Sequence, residues 1–250
     1  MKKQLLVLCA VTAAFVTACS KDDENPAGGK DRLVSKVTSI DENDTTVFNV
    51  THDNKGRIVS YNAADNSEQS IFSYTGGGNV NRIEYISESE KTVYEVNYNG
   101  NGQPTTATVE HFDETGELAR TEEIEYVVAN DKVAEIKVTE DEDQTTYKLE
   151  YANNNLTKVQ VSMDETFSEI SYIYDNKKSP FYSGSKYILD LSFSFLLFSK
   201  NNVITQKTTV PPTESTSTYT LNADGYPSAS ETTITSILGT RKTKTLFEYK

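Results

Sequence analysis

Residues 94–104 read Tyr-Glu-Val-Asn-Tyr-Asn-Gly-Asn-Gly-Gln-Pro, and the pattern of this stretch recurs along most of the chain. Its first five residues alternate apolar and polar side chains, which is the period-two pattern of a half-buried β-strand. The Asn-Gly-Asn-Gly run that follows supplies residues that tolerate a positive φ, as a tight turn requires. The stretch therefore predicts a strand that ends in a tight turn.

Eight turns of this kind occur from residue 48 onward. Each is rich in Asn, Asp and Gly, follows an aromatic or apolar residue, and is closed after one spacer by an apolar residue or proline. The closing residues are 22, 24, 29, 23, 24, 23 and 24 residues apart; they are Ile58, Val80, Pro104, Val133, Leu156, Pro180, Val203 and Pro227. A unit of about 24 residues holds two strands of roughly eight residues and two turns. The repeat therefore predicts fifteen or sixteen strands.

The predicted fold class is all-β: an antiparallel meander of repeated hairpins that forms a strongly curved, barrel-like sheet. Neighbouring strands rotate by about 20–25°, and the outermost strands of a flat sheet would expose unpaired backbone groups. A sheet of this size is therefore expected to coil, with its Tyr, Phe, Ile and Val face inside. The pattern does not decide between an open and a closed barrel.

Residues 187–198 depart from the repeat and form an unusually apolar segment, YILDLSFSFLLF. Alternate positions fit a buried strand: Leu189, Leu191, Phe193, Phe195 and Leu197. A helical stripe also fits: Ile188, Leu191, Phe195 and Phe198. Because the repeat places Leu197 where Tyr98 and Tyr174 lie in their own units, a strand or core plug is favoured over a helix. Twelve residues are too few to span a bilayer.

The first 18 residues have the parts of a lipoprotein signal peptide. Lys2 and Lys3 precede an apolar run of about a dozen residues, which is too short for a permanent membrane span. Val16-Thr17-Ala18-Cys19 resembles the bacterial lipobox, whose cysteine thiol is diacylglycerylated before the chain is cut on its N-terminal side. The resemblance implies lipid attachment at Cys19, with a further chain such as palmitate on the new amino group. The alternative is an ordinary signal peptide with a chance cysteine.

The residues after Cys19 predict the location of the mature protein. Ser20-Lys21-Asp22-Asp23-Glu24 resembles the acidic export signal of surface lipoproteins in Bacteroidota, which implies the outer leaflet of the outer membrane. The alternative is a solvated tether on the periplasmic face. Residues 25–30 indicate a flexible linker. The expected organisation is a signal peptide over residues 1–18, a lipidated tether over 19–30 and a single β-repeat domain over 31–250.

Composition limits the possible functions. The 250-residue chain carries a formal net charge of −13, and loss of Lys2 and Lys3 with the leader takes two positive charges away, giving −15. Such a charge repels nucleic acid and anionic lipid headgroups, so no nucleic-acid partner is expected. Both cysteines, Cys9 and Cys19, lie in the first twenty residues. The mature domain is therefore expected to use neither disulfides nor thiol catalysis.

The turns at residues 98–102, 174–181 and 222–227 resemble those of a family of β-repeat lipoproteins from gut Bacteroidota. Residues 199–203, Ser-Lys-Asn-Asn-Val, share this likeness. The turns are also similar, more distantly, to the tyrosine-aspartate repeats of Rhs-type shells. The resemblance covers about residues 48–250. It implies a β-rich module of the cell envelope and transfers no catalytic residue.

Residues with catalytic potential form no recognisable motif. His52 and His111 stand beside turns and outside any metal-ligand spacing. Residues 76–78, three glycines, lack the lysine and the helix of a phosphate loop. Carboxylates are predicted to gather in the turns opposite the Asn/Gly turns, separating charge between the two ends of the sheet; they are Asp65, Glu68, Glu88, Glu90, Asp113, Glu114, Glu140, Asp141, Glu142, Asp143, Asp164 and Glu165.

Short patterns suggest two further sites. Asp141 and Asp143 carry oxygen ligands that suit calcium, but the stretch lacks the spacing of a calcium loop and solvated turns are favoured. Residues 44–46, Asp-Thr-Thr, match a short acceptor pattern that resembles Bacteroidota O-glycosylation, here at Thr45. Rows of tyrosines offer a surface on which sugar rings stack, although core packing with the hydroxyl at the rim is the favoured interpretation.

The sequence thus predicts a non-catalytic binding module on the surface of the outer membrane, anchored through lipid and without a cofactor. Its ligand is a glycan, a protein or an apolar molecule. One alternative is a structural envelope component that pairs with a partner through a sheet edge. A less favoured alternative is a hydrolase that uses rim carboxylates.

Overall fold

The computed structural model describes residues 32–41 and 44–250, so the signal peptide, Cys19 and the tether lie outside the described residues. Sixteen strands and one short helix are described: β1 (Val34–Ile40), β2 (Thr45–His52), β3 (Ile58–Ala63), β4 (Glu68–Tyr74), β5 (Val80–Ser87), β6 (Lys91–Tyr98), β7 (Pro104–Phe112), β8 (Leu118–Ala129), β9 (Lys132–Glu140), β10 (Asp143–Ala152), β11 (Asn155–Met163), β12 (Thr166–Lys178), α1 (Phe193–Phe198), β13 (Asn201–Thr209), β14 (Pro212–Leu221), β15 (Pro227–Ser236) and β16 (Gly239–Tyr249).

Each strand pairs antiparallel with the next, and the first strand pairs with the last, so the sheet is a closed barrel. The closing pair β1–β16 places Val37 opposite Phe247 and Ile40 opposite Lys244. The predicted all-β meander is confirmed, and the question of closure is settled in favour of the barrel. No helix in the described part of the chain is long and apolar enough to cross a membrane.

Because the strands alternate in direction, successive turns lie at opposite ends of the barrel. One end, the Asn/Gly rim, holds the turns at residues 53–57, 75–79, 99–103, 130–131, 153–154 and 222–226, the β12–β13 connection and both ends of the described chain. The other end, the acidic rim, holds Asp41, Asp44 and the turns at residues 64–67, 88–90, 113–117, 141–142, 164–165, 210–211 and 237–238.

Three turns of the Asn/Gly rim share a local geometry that explains their composition. The side-chain oxygen of Asn99 accepts hydrogen bonds from the backbone N–H groups of Asn101 (2.9 Å) and Gln103 (3.1 Å). Gly102 has a φ of 72°, a conformation that L side chains rarely adopt. The turns that begin at Asp53 and Asn222 repeat the same two side-chain bonds. An Asp or Asn followed three residues later by Gly therefore builds these three corners.

Tyrosine hydroxyls tie adjacent repeat units together at this rim. Five tyrosines in the last part of even-numbered strands each donate to the backbone carbonyl of a closing residue of the preceding unit. The pairs are Tyr74 with Ile58, Tyr98 with Val80, Tyr151 with Val133, Tyr174 with Leu156, and Tyr249 with Pro227. The prediction that these tyrosines pack in the core with their hydroxyls at the rim is confirmed, as is the equivalence of the closing residues Ile58, Val80, Val133, Leu156 and Pro227.

The sequence predicts two separate turns closed by Pro180 and Val203, and this prediction is wrong. Residues 179–200 are an insertion in the one connection between β12 and β13, so Pro180 and Val203 lie at its two ends. The segment at 187–198 is not a strand: it enters the barrel as a plug, irregular at first and then helical in α1. The strand total still reaches sixteen because the seven connections at the Asn/Gly rim join fourteen strands, and β1 and β16 lie outside them.

Side chains alternate between an apolar interior and a charged outer wall. In β9, Val133 and Ile136 are buried in the core, whereas Glu135 and Lys137 face outward and pair at 3.6 Å. Ion pairs of this kind join neighbouring strands around the wall: Lys36–Glu248, Arg82–Glu95, Lys91–Glu84, Lys137–Glu125, Lys158–Glu169 and Lys207–Glu214. The outer wall of the barrel is therefore polar.

Candidate functional site

The apolar half of the barrel interior is filled by the chain's own plug. Phe193 lies with its ring centre 4.9 Å from that of Tyr61 and 5.1 Å from that of Phe72, and Phe195 lies 5.0 Å from Tyr172. The Tyr126 hydroxyl donates to the carbonyl of Leu189 at 2.9 Å. The plug side chains occupy the space that an apolar ligand of this barrel would need.

A buried carboxylate fixes the shape of the plug. The side chain of Asp190 accepts hydrogen bonds from the backbone N–H of Ser192 (2.6 Å) and from the Tyr85 hydroxyl (3.2 Å). The Ser194 hydroxyl donates to the carbonyl of Asp190 at 3.0 Å. Burial raises the pKa of Asp190 above its usual value. The bonds within residues 190–194 form a turn, and the bond from Tyr85 of β5 holds this turn against the barrel wall.

A polar cluster lines the inside of the barrel toward the acidic rim, on strands β6 to β9. His111 contacts Thr92 at 3.1 Å through Nδ1 and the carboxylate of Glu122 at 3.0 Å through Nε2. Arg120 donates to Glu122 at 2.6 Å and to Glu140 at 3.0 Å. Burial opposes ionisation of Glu122, but His111 and Arg120 keep its pKa below the usual value.

Sequence reasoning placed His111 correctly at a strand end but missed its partners. The register of β7 and β8 sets Arg120 opposite His111 and Glu122 opposite Val109, so the three polar side chains share the inner face. Only the pairing of strands, and not the spacing along the chain, brings them together. The cluster is an internal ion-pair network that stabilises this part of the wall.

The acidic rim carries the charge that the sequence predicts for it. Its described turns hold twelve Asp and Glu residues and no Lys or Arg: Asp41, Asp44, Asp65, Glu88, Glu90, Asp113, Glu114, Glu117, Asp141, Glu142, Asp164 and Glu165. Separation of charge between the two ends of the sheet is thereby confirmed. Asp141 lies in a two-residue turn and has a φ of 53°. Asp143, at the start of β10, lies opposite Glu140 of β9 in the backbone register.

Among the described residues, no group of three or more His, Cys, Asp or Glu side chains is placed to hold a metal ion. Thr45 is exposed on the acidic rim, where its backbone N–H donates to the Asp44 carboxylate at 2.7 Å. Its glycosylation stays a prediction. Lipid attachment at Cys19 falls outside the described residues.

One sector of the acidic rim is apolar, a feature that sequence reasoning missed. The β15–β16 turn exposes 76% of Ile237 and 94% of Leu238. Beside it, the β13–β14 turn exposes Val210 (46%), and the Ser168 hydroxyl donates to the Val210 carbonyl at 3.1 Å, which places the exposed Phe167 alongside. The sequence Ile-Leu-Gly at residues 237–239, between two Thr-rich strands, is the pattern that could have predicted this apolar turn.

A shallow cavity of about 410 Å³ lies on the wall formed by β14, β15, β16 and the end of β1. Its exposed lining consists of hydroxyls and charges: Thr216, Thr218, Glu231, Lys242 and Lys244. The buried Ser217 and Thr232 share a hydrogen bond of 2.5 Å beneath it. The cavity holds no recognisable catalytic grouping of these residues.

Solved structures of two Bacteroides proteins share the barrel fold of this chain. A porin-like protein from Bacteroides uniformis aligns with a TM-score of 0.54 at 15% identity over 87% of this chain and 96% of its own. A porin-like protein from Bacteroides vulgatus aligns with a TM-score of 0.53 at 13% identity over 88% of this chain and 99% of its own. At such identities the likeness shows the shared barrel fold. No protein-family profile matches the chain, and no curated protein matches it.

The predicted relation to Rhs-type shells stays a prediction. The alternative of pairing through a sheet edge is contradicted: every described strand is hydrogen-bonded on both sides within the closed barrel. A partner strand therefore has no long free edge to join.

Proposed function

We propose that this chain is a non-catalytic binding protein, held by lipid at Cys19 on the surface of the outer membrane. The observation that carries the proposal is the polarity of the barrel. A barrel that crosses a membrane presents an apolar band to lipid and a polar interior. Here the outer wall carries ion pairs such as Lys137–Glu125 and Lys158–Glu169, while the apolar half of the interior is aromatic and filled by the plug.

The porin-like description of the two Bacteroides neighbours supports an outer-membrane setting. A water-facing wall and a filled interior argue against a pore in that setting. A lipid at Cys19 would hold such a barrel at the membrane without placing its strands in the bilayer.

The face offered to a partner is the apolar sector of the acidic rim, defined by Phe167, Val210, Ile237 and Leu238. Large apolar side chains that protrude together from adjacent turns, among polar neighbours, are typical of protein-binding surfaces. A glycan ligand has less support, because the tyrosines predicted to stack on sugars pack against the core or hydrogen-bond at the rim.

Site-specific photo-crosslinking in intact cells tests the proposal. A photoreactive residue at Leu238 is expected to give a discrete protein adduct, and the same group at Ile173, exposed on the outer wall, gives none. Leu238→Asp should remove binding of that partner while the far-ultraviolet circular dichroism stays unchanged. Identical adducts from both positions, or none from position 238, would contradict it. Binding to a glycan array would show that the ligand is a sugar and not a protein.

A further inference from the structure

The chain enters the barrel at the Asn/Gly rim. The described part begins with Arg32, which pairs with Asp224 at 2.7 Å, and the backbones of Leu33 and Lys250 exchange hydrogen bonds at this end. Twelve residues separate Cys19 from Arg32. Even a fully extended chain of that length reaches only about 40 Å. On the proposed function, this rim is therefore the end of the barrel to which the lipidated tether is joined.

A group of lysines and tyrosines lies next to that entry point; Lys177, Lys178, Lys200, Tyr182 and Tyr226 form what we term the lysine patch. Lys178 donates to the Tyr226 hydroxyl at 3.5 Å, and Tyr226 stands two residues after Asp224, the partner of Arg32. The backbone N–H of Ser179 donates to the carbonyl of Lys200 at 2.9 Å, and that of Tyr182 to the carbonyl of Ser179 at 3.3 Å. The contacts thus join the patch into one surface.

The side chains of the patch suit the boundary between water and lipid. Lys177, Lys178 and Lys200 are all exposed, and Tyr182 is 44% exposed although it is aromatic. Lysines next to an anchored chain attract anionic headgroups, and tyrosine places an apolar ring and a polar hydroxyl at headgroup depth. Neither property is needed for packing the barrel.

The net charge of −13 is distributed unevenly, because twelve carboxylates lie in the turns of the acidic rim at the far end. A nine-residue strand such as β7 spans roughly 30 Å. Tilted as in other barrels, it separates the two rims by about 20–25 Å. Since the Debye length is about 8 Å at physiological salt, the twelve carboxylates of the acidic rim are screened from a surface at the Asn/Gly rim. The expectation that the whole protein is repelled by anionic lipid is thereby revised.

We infer that the lysine patch docks on the anionic lipid surface that carries the anchor, so that the barrel stands on its Asn/Gly rim and turns its acidic rim outward. The inference rests on the proposed function, which supplies the anchor at Cys19. It adds an orientation: lipid alone leaves the barrel free to tumble on its tether, whereas the patch selects one end.

The test uses the full lipidated protein reconstituted into vesicles. Since no cysteine follows Cys19 in the sequence, Tyr182→Cys and Leu238→Cys each give a single free thiol for a fluorophore. With a quencher on the lipid headgroups, fluorescence of the label at 182 should be quenched in phosphatidylglycerol vesicles. Adding 0.5 M salt, or using phosphatidylcholine vesicles, should abolish this quenching. The label at 238 should stay bright in both.

Charge reversal supplies the decisive variants. Lys177→Glu, Lys178→Glu and Lys200→Glu together should lower the ratio of docked to undocked barrel at least ~100-fold, since each of the three lysines contributes about fivefold near an anionic surface. The matched control reverses Lys207, Lys242 and Lys244 on the outer wall and should leave quenching unchanged. Equal quenching of both labels, or no effect of the patch variants, would overturn the inference.

Two outcomes separate this inference from the proposed function. If Cys19→Ala leaves the protein in the membrane fraction, the anchor of the proposed function fails. If the anchor holds but the label at 182 is not quenched, only the docking fails. The protein could instead associate with itself without vesicles, in a concentration-dependent way that the patch variants abolish. That result would show that the lysine patch binds the acidic rim of a second copy, and it would reject docking on lipid.

Discussion

The hydroxyl of Tyr151 donates a hydrogen bond to the backbone carbonyl of Val133, 2.8 Å away, and so joins the end of β10 to the start of β9. The same relationship recurs in the pairs Tyr174–Leu156 and Tyr249–Pro227. It converts a sequence repeat into a structural one, because each unit is fastened to the preceding unit at the same place.

Tyr151→Phe tests the contribution of this bond. Loss of the hydroxyl removes a partner from the Val133 carbonyl, and we expect a fall in the free energy of unfolding of about 1–2 kcal/mol. Chemical denaturation measures it. Tyr182→Phe, at an exposed position, should change stability by less than about 0.5 kcal/mol. Equal effects of the two substitutions would show that the rim bond contributes nothing.

The plug is expected to be a major part of the core. Phe193→Ala removes ring contacts with Tyr61, Phe72 and Phe181 and should destabilise the barrel by about 3–5 kcal/mol in thermal or chemical unfolding. Ile173→Ala on the outer wall is the control and should have little effect. A loss of less than about 1 kcal/mol at Phe193 would mean that the plug packs loosely in the interior.

Much of the fold follows from the sequence because strand alternation and turn chemistry are local. Asn99, Gly102 and the alternating residues 94–98 specify a strand and a corner without help from the rest of the chain. The insertion at 179–200 does not follow, since a Pro after Asp-Asn-Lys-Lys-Ser looks like another repeat turn. Whether the next apolar residues pair as a strand or fill the interior depends on the space that sixteen closed strands leave.

The surfaces are less predictable than the fold. Acidic turns are visible as Asp and Glu between strands, but the neighbourhood of Phe167, Val210 and Leu238 arises only when β12 to β16 lie side by side. The contact of His111 with Glu122 likewise depends on the register of β7 and β8. Local pattern fixes which residues lie in turns, whereas closure of the barrel fixes which turns are neighbours.

Alkaline pH is expected to unfold the barrel. Burial raises the pKa of Tyr74 from 10.0 to about 12, and raises the pKa values of Tyr85, Tyr126 and Tyr219 well above 10.0. In this range the folded state holds protons that the unfolded state has lost. The stabilisation is therefore complete below pH 10 and is lost as pH rises from about 10 through about 12.

Denaturant titrations at pH 8, 9, 10, 11 and 11.5 measure this dependence. Stability should be steady up to pH 9 and fall steeply above pH 10, and Tyr74→Phe should show a shallower fall. A flat profile between pH 9 and 11.5 would contradict burial of the tyrosines.

The anchor is tested by Cys19→Ala. Without the thiol no lipid is attached, so the protein should move from the membrane fraction to the soluble fraction on cell fractionation. Digestion of intact cells with protease then tests surface exposure of the unaltered protein. Changes at residues 21–24 should reduce its cleavage if the acidic stretch directs export. Protection of the unaltered protein from protease would place it on the inner face.

Detergent-free solubility of the chain from residue 20 to residue 250 tests the central claim most directly, that this barrel faces water with its outer wall and fills its own interior. A barrel with Lys–Glu pairs outside and aromatic residues inside should fold in plain buffer, show a β-type circular dichroism spectrum and unfold cooperatively. Aggregation in buffer, with folding restored only by detergent or lipid, would show that the wall is embedded in a bilayer and would contradict the account.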